Sequence, residues 1–142
     1  MPYTNARIVE EDYITAECEN RSACVLARAI QRATNDPGWL VDGDAVTHAK
    51  KDIWHITPAW ADELAHWSDQ WLIPDAEGET GVNCKLGWFT IDTNSGEMGG
   101  FSQTGTVPLQ WVLEERIRRG VETKPDGFKF CYDEKGNYIE NV

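Results

Sequence analysis

Between Asp52 and Cys84 the chain carries seven acidic residues, Asp52, Asp62, Glu63, Asp69, Asp75, Glu77 and Glu79, and no Lys or Arg. A cation-free stretch of that kind leaves its negative field uncompensated locally, which attracts a basic partner and speeds the encounter with it. The same segment holds Trp54, Trp60, Trp67 and Trp71. Wound at 100° per residue over 57–72, Trp67, Trp60, Trp71, Leu64, Ala61, Leu72 and Ala65 fill one arc, and Asp69, Asp62, His66, Gln70 and Glu63 the other. Asp62, Glu63 and Asp69 are therefore expected to face water, with Asp75, Glu77 and Glu79 extending the surface beyond Pro74. The bland reading is a solvated helix face laid over a Trp-rich core.

A catalytic reading has less to work with. His55 and His66 are the candidate bases, and Asp62 and His66 are spaced to touch on one helix, but a surface Asp–His pair specifies no reaction. His48 follows a turn-like Asp42-Gly43-Asp44. The run Asp92-Thr93-Asn94-Ser95-Gly96 is like the start of a calcium loop, yet its Gly comes one position early and Gln103 stands where a bidentate Glu is needed. The glycines at 96, 99, 100 and 105 lack the Gly-Lys-Ser/Thr ending of a phosphate loop, and neither a dinucleotide fingerprint nor a nucleophile elbow occurs. Cys18, Cys24, Cys84 and Cys131 contain no C-x-x-C pair and are not at zinc-finger offsets from the histidines, so they read as free thiols and no metal or cofactor is expected. The expectation is a non-enzymatic protein.

Two alternatives stay open. Flat tryptophan faces stack on nucleobases, so Trp111 with Arg28 and Arg32, joined by the Arg116, Arg118 and Arg119 group, could line a pocket for a nucleotide-like ligand. A small hydrolase or transferase using His55 or His66 is the second.

The elements that must position these residues follow from period and punctuation. A first helix is expected over 22–34, capped by the Ser22 hydroxyl and stopped by Asn35-Asp36-Pro37-Gly38. Extended segments are expected at 39–46 and 52–56, then the acidic helix with Thr57 as N-cap and Pro58 at its first position. Residues 85–92 read as a strand, and the Gly-rich 93–105 either hides a short strand near Phe101 or is mobile and useful. Val107-Pro108 opens a helix to about 119, with Leu109, Val112, Leu113 and Ile117 as its core stripe, Trp111 off that stripe, and Glu114–Arg118 and Glu115–Arg119 pairs outside. A β-hairpin is expected from 128–132 and 137–140 around Asp133-Glu134-Lys135-Gly136. These elements specify a single α+β domain over 1–142, about three helices on a small, mostly antiparallel sheet.

Composition bounds the partner. The chain has 142 residues, 41% hydrophobic and 26% charged, enough for one core and too ordered for a disordered chain. Its 13 Lys plus Arg against 24 Asp plus Glu give a formal charge of −11, a poor balance for gripping nucleic-acid phosphates directly. No stretch reaches the roughly 18 apolar residues of a membrane span. The start, MPYTNARIVEEDY, lacks a basic n-region and an apolar h-region, so a cytoplasmic location is expected and the Asn20-Arg21-Ser22 sequon is idle.

The run Ser22-Ala23-Cys24-Val25-Leu26-Ala27-Arg28-Ala29-Ile30, two short strands, and a Thr57-Pro58 helix ending in Trp67-Ser68-Asp69 resemble small uncharacterised proteins of tailed bacteriophages and prophages. In those, a Ser/Asp-x-Cys-x-x-Ala-x-Ala helix precedes a strand and a Pro-initiated helix ending in aromatic-x-Asp. The resemblance implies a host-takeover or anti-defence role, such as anti-CRISPR, in the bacterial cytoplasm. There a carboxylate-rich surface would block the basic surface of a host protein, for instance in a nucleic-acid-binding complex.

Overall fold

Alternation of small and polar side chains makes the opening segment a strand. In β1 (Tyr3–Ile8) Ala6 and Ile8 are buried, while Tyr3, Asn5 and Arg7 are exposed. The computed structural model describes residues 3–17, 20–42, 44–65, 67, 83–124 and 126–139. β1 pairs antiparallel with β5 (Asn83–Asp92), which pairs with β6 (Ser102–Pro108), giving the order β1-β5-β6. A second antiparallel sheet has the order β2-β3-β4, from Trp39–Asp42, Ala45–His48 and Trp54–Ile56. The fold is thus α+β, with two small sheets and four described helices: α1 (Glu10–Thr15), α2 (Val25–Thr34), α3 (Ala59–Ala65) and α4 (Leu109–Arg118).

Helix α2 joins the two sheets, packing against both β1 and β2. Ala27 and Ala29 are fully buried, so the helix approaches closely, and Ile30 meets a core that includes Ile8, Trp39, Phe89 and Ile91. Its cap differs from the expected one. The Ser22 hydroxyl bonds Asn20 Oδ1 at 2.8 Å, while the Cys24 sulfur accepts the Ala27 N–H at 3.5 Å. Asn35, at φ 52°, ends the helix in the left-handed conformation that its short amide side chain tolerates.

Several expected boundaries move for local reasons. The segment 39–46 is two strands, because the chain reverses at 42–45 to pair Asp42 with Ala45. Val107 and Pro108 end β6, and α4 starts at Leu109. Likewise α3 starts at Ala59, with the Pro58 carbonyl accepting the Ala61 N–H. The segment 3–15, for which no element was expected, supplies β1 and α1. At the C-terminal end the expected turn forms, closed by the Tyr132–Tyr138 bridge and by Ile139 N–H to Cys131 C=O; Glu140 lies outside the described residues.

The Gly-rich 93–105 is ordered. Asp92 Oδ1 accepts the N–H groups of Asn94 and Ser95, Gly96 turns the chain at φ 84°, and Gly99 N–H bonds Thr90 C=O at 2.7 Å. A Cβ on Gly99 would lie 2.1 Å from Thr90 Oγ1, so only glycine fits that approach. Trp60 donates its indole N–H to the Gly99 carbonyl at 3.0 Å and stacks on Phe101 at 5.2 Å. The hidden strand is β6.

Helix α4 departs most from its wheel. Leu109 and Val112 are buried, but so are Gln110, Glu114, Glu115 and Arg116, and the acids expected outside lie inside. The reason is backbone demand. Arg116 Nη1 donates to the carbonyls of Tyr13, Ile14 and Ala16 at the buried C-terminal end of α1, and Nη2 donates to Glu122. Glu114 Oε1 accepts the N–H groups of Cys131 and Tyr132, each at 2.8 Å, and Arg118 bonds Glu115 at 2.9 Å. Trp111 is partly buried against the core. Among the described residues no helix is long and apolar enough to cross a membrane.

Replacing Arg116 with Met would strand these carbonyls and the Glu122 carboxylate. The expected loss is about 3 kcal/mol of unfolding free energy, seen as a lower urea midpoint with an unchanged slope.

Candidate functional site

The acidic helix is anchored by its apolar side. In α3, Ala61 is 1% exposed and Leu64 6%, and Trp60 wedges between Phe101 and Phe89, 5.2 and 5.1 Å away. Opposite them, Asp62 and Glu63 are exposed, as the wheel requires. Trp67, just past the described helix, is half-buried and meets Tyr13 edge-on at 5.2 Å. Asp69, Asp75, Glu77 and Glu79, with Trp71 and His66, lie outside the described residues.

Ion pairing sharpens this surface. Arg32 pairs with Asp12, Arg116 with Glu122, Arg118 with Glu115, and Arg119 with Glu11. Each pair cancels one charge of either sign, so the four pairs leave the net −11 unchanged. Asp52, also exposed, precedes the same helix.

The histidines are held by their neighbours. The Lys50 N–H donates to His48 Nδ1 at 3.0 Å, which assigns the ring proton to Nε2, and Nε2 donates to Asp36 at 2.9 Å. With both nitrogens engaged, a side chain only 2% exposed and Trp39 edge-on at 5.2 Å, His48 pins the 35–38 turn to β3. His55 is half-buried, with Nδ1 3.0 Å from the Ile56 carbonyl and Nε2 3.6 Å from the Glu97 carboxylate. Among the described residues no hydroxyl or thiol bonds either ring, so no nucleophile and base meet there.

The thiols are equally quiet. Cys84 is buried, and burial pushes its thiol up to about 12, far from the thiolate that nucleophilic chemistry requires. Cys24 serves as a helix cap, Cys131 is buried, and Cys18 lies outside the described residues. Among the described residues no group of three or more His, Cys, Asp or Glu is placed to hold a metal ion.

The residues of the ligand-binding alternative are engaged with different neighbours. Arg32 forks onto both oxygens of buried Asp12 at 2.7 and 2.8 Å, and that hydrogen bond raises the guanidinium pKa further. Trp111 lies over Gly136, and its buried indole nitrogen has no hydrogen-bond partner. Arg28 is half-buried, with its Nε likewise unpartnered. Among the described residues the exposed tryptophans are others: Trp54 at 66% and Trp88 at 37%. A signal for Trp88 lay in the sequence, because Trp88 and Phe89 are neighbours in one strand and a strand sends neighbours to opposite faces.

Asp36 is held below the ordinary carboxylate range, first by the Gly38 N–H and then by His48. Its contribution to stability is therefore present above the unfolded value of 3.8 and lost as pH falls through the lower folded value. Asp36→Asn is expected to unfold at lower urea than wild type at neutral pH, with the difference shrinking as pH falls below 3.8. Cys84 is expected to resist a thiol reagent in the folded protein and to react on unfolding, which time-resolved labelling with peptide mapping checks. Compared with protein-family models, curated proteins and solved structures, the chain matches none.

Proposed function

We propose that the chain is a non-catalytic binding protein whose acidic face occupies a basic surface on a host protein, presenting carboxylates where that protein receives nucleic-acid phosphates. The observation that carries this reading is the exposure of Asp62 and Glu63 on a helix whose other side is fixed by Ala61, Leu64 and Trp60. A rigid backing holds the carboxylates in place, which lowers the ordering cost of binding. The internal pairing of four arginines supports it further, since it leaves the excess acid to the surface. The likeness to phage and prophage proteins supplies the setting, an anti-defence or host-takeover inhibitor of the anti-CRISPR kind. Asp69, Asp75, Glu77 and Glu79 extend the proposed surface.

The test is capture from bacterial lysate at low and at high salt, followed by titration of the captured protein. The double variant Asp62→Ser, Glu63→Ser is expected to keep the wild-type melting temperature to within a few degrees. It should bind roughly 2- to 30-fold more weakly and with a shallower salt dependence. Undiminished binding by the folded variant would remove these residues from the site.

A further inference from the structure

The outward positions of the β1-β5-β6 strands carry two cations, Arg7 and Lys85, against one acid, Asp92. Strand parity puts Tyr3, Asn5 and Arg7 of β1 on the outer face, since Ala6 and Ile8 point into the core. On central strand β5, Phe89 and Ile91 are fully buried, so Trp88 and Thr90 face outward, and buried Cys84 sends Lys85 outward too. The register aligns Arg7, Trp88 and Ser102 in one row across the three strands. Lys85 follows three residues along β5, about 10 Å away.

The chemistry of this face is specific. Among the described residues, the Arg7 guanidinium and the Lys85 ammonium have no ion-pair partner, whereas Arg32, Arg116, Arg118 and Arg119 are all paired. The one acid in the same rows, Asp92, turns its Oδ1 onto the Asn94 and Ser95 N–H groups. An aromatic ring on the central strand of an open antiparallel sheet, beside two free cations and a row of hydroxyls and amides, suits an unpaired base with its flanking phosphates. At physiological salt the field of an exposed acid is damped beyond about 8 Å.

We propose that this face binds single-stranded nucleic acid, a base stacking on Trp88 and the adjoining phosphates meeting Arg7 and Lys85. A strand fits better than a free nucleotide because the face is an open sheet, and small ligands need a concave site that buries most of their surface. The inference is independent of the acidic face and revises the expectation, drawn from total charge, that the chain avoids nucleic acid.

The test uses the full chain and a fluorescent 12-nucleotide single-stranded DNA of mixed sequence, followed by anisotropy at several salt concentrations. Trp88→Ala is expected to weaken binding roughly 5- to 150-fold, with Trp88→Phe restoring most of it. The slope of log affinity against log salt should fall by about 1.4 in Arg7→Ser, Lys85→Ser, the value for two phosphates on a single strand. Trp54→Ala, which removes the more exposed indole on the other sheet, should bind like wild type. Equal binding by wild type and a folded Trp88→Ala, equal loss in Trp54→Ala, or competition by a mononucleotide at the same concentration as the oligonucleotide would each overturn the proposal. So would the absence of any binding at low salt. None of these outcomes bears on capture of a basic protein by Asp62 and Glu63, so the two readings fail separately.

Discussion

A guanidinium buried beneath backbone carbonyls governs how the N-terminal third of the chain attaches to the rest. Arg116 is 2% exposed and its guanidinium only donates, so its N–H groups must find acceptors inside. It finds them at the end of α1, a six-residue helix too short to persist alone and with its last carbonyls unused. Each element thus supplies what the other lacks. Through α1 the dependence spreads: Asp12 receives Arg32 of α2 and the Val9 N–H, while the Tyr13 hydroxyl donates to the Lys85 carbonyl of β5. Burial pushes the Tyr13 hydroxyl further toward its protonated form, reinforced by Cys84 and Asp12, so it stays a donor throughout the physiological range.

The same economy explains the distribution of charge. Glu114 is fully buried because its carboxylate caps two backbone N–H groups of the C-terminal segment, and Gln110 donates to its other oxygen at 2.9 Å. Side chains that look like surface decoration on a helical wheel therefore act as substitutes for missing secondary structure. Among the exposed charges, Asp62 and Glu63 stand on α3 and Arg7 and Lys85 on the β1-β5-β6 sheet. A single total charge describes neither surface.

Elements governed by local rules were legible from the residues alone. Helix α2 stops at Asn35 as its breaker requires, β5 spans its expected core, and α3 buries Ala61 and Leu64 while exposing Asp62 and Glu63. Elements governed by distant partners were not. Segment 3–15 has Val9, not a Ser, Thr, Asp or Asn, at the N-cap of α1 and becomes structured through β5 and Arg116, and α4 carries its acids inward to satisfy backbone more than a dozen residues away. The Gly-rich stretch looked loose because glycines mark both freedom and close approach. Only the Trp60 indole and Thr90 decide between the two. In the candidate site, the exposed carboxylates were visible from helical period, whereas which tryptophans reach water depended on the sheet that each strand joins.

Strand β4 carries a consequence for behaviour at high concentration. The Thr57 N–H bonds the Asp44 carbonyl, so alternation turns the backbone groups of Trp54 and Ile56 away from β3, toward an edge that no described strand pairs. Their side chains are 66% and 57% exposed on the same face. An edge of this kind invites another strand to pair with it, and proteins ordinarily blunt it with lysine or proline inside the strand, neither of which β4 has. The formal charge of −11 sets like-charge repulsion between copies against that pairing. At 1 M salt the screening length falls to about 3 Å, and that repulsion no longer reaches from one copy to the next.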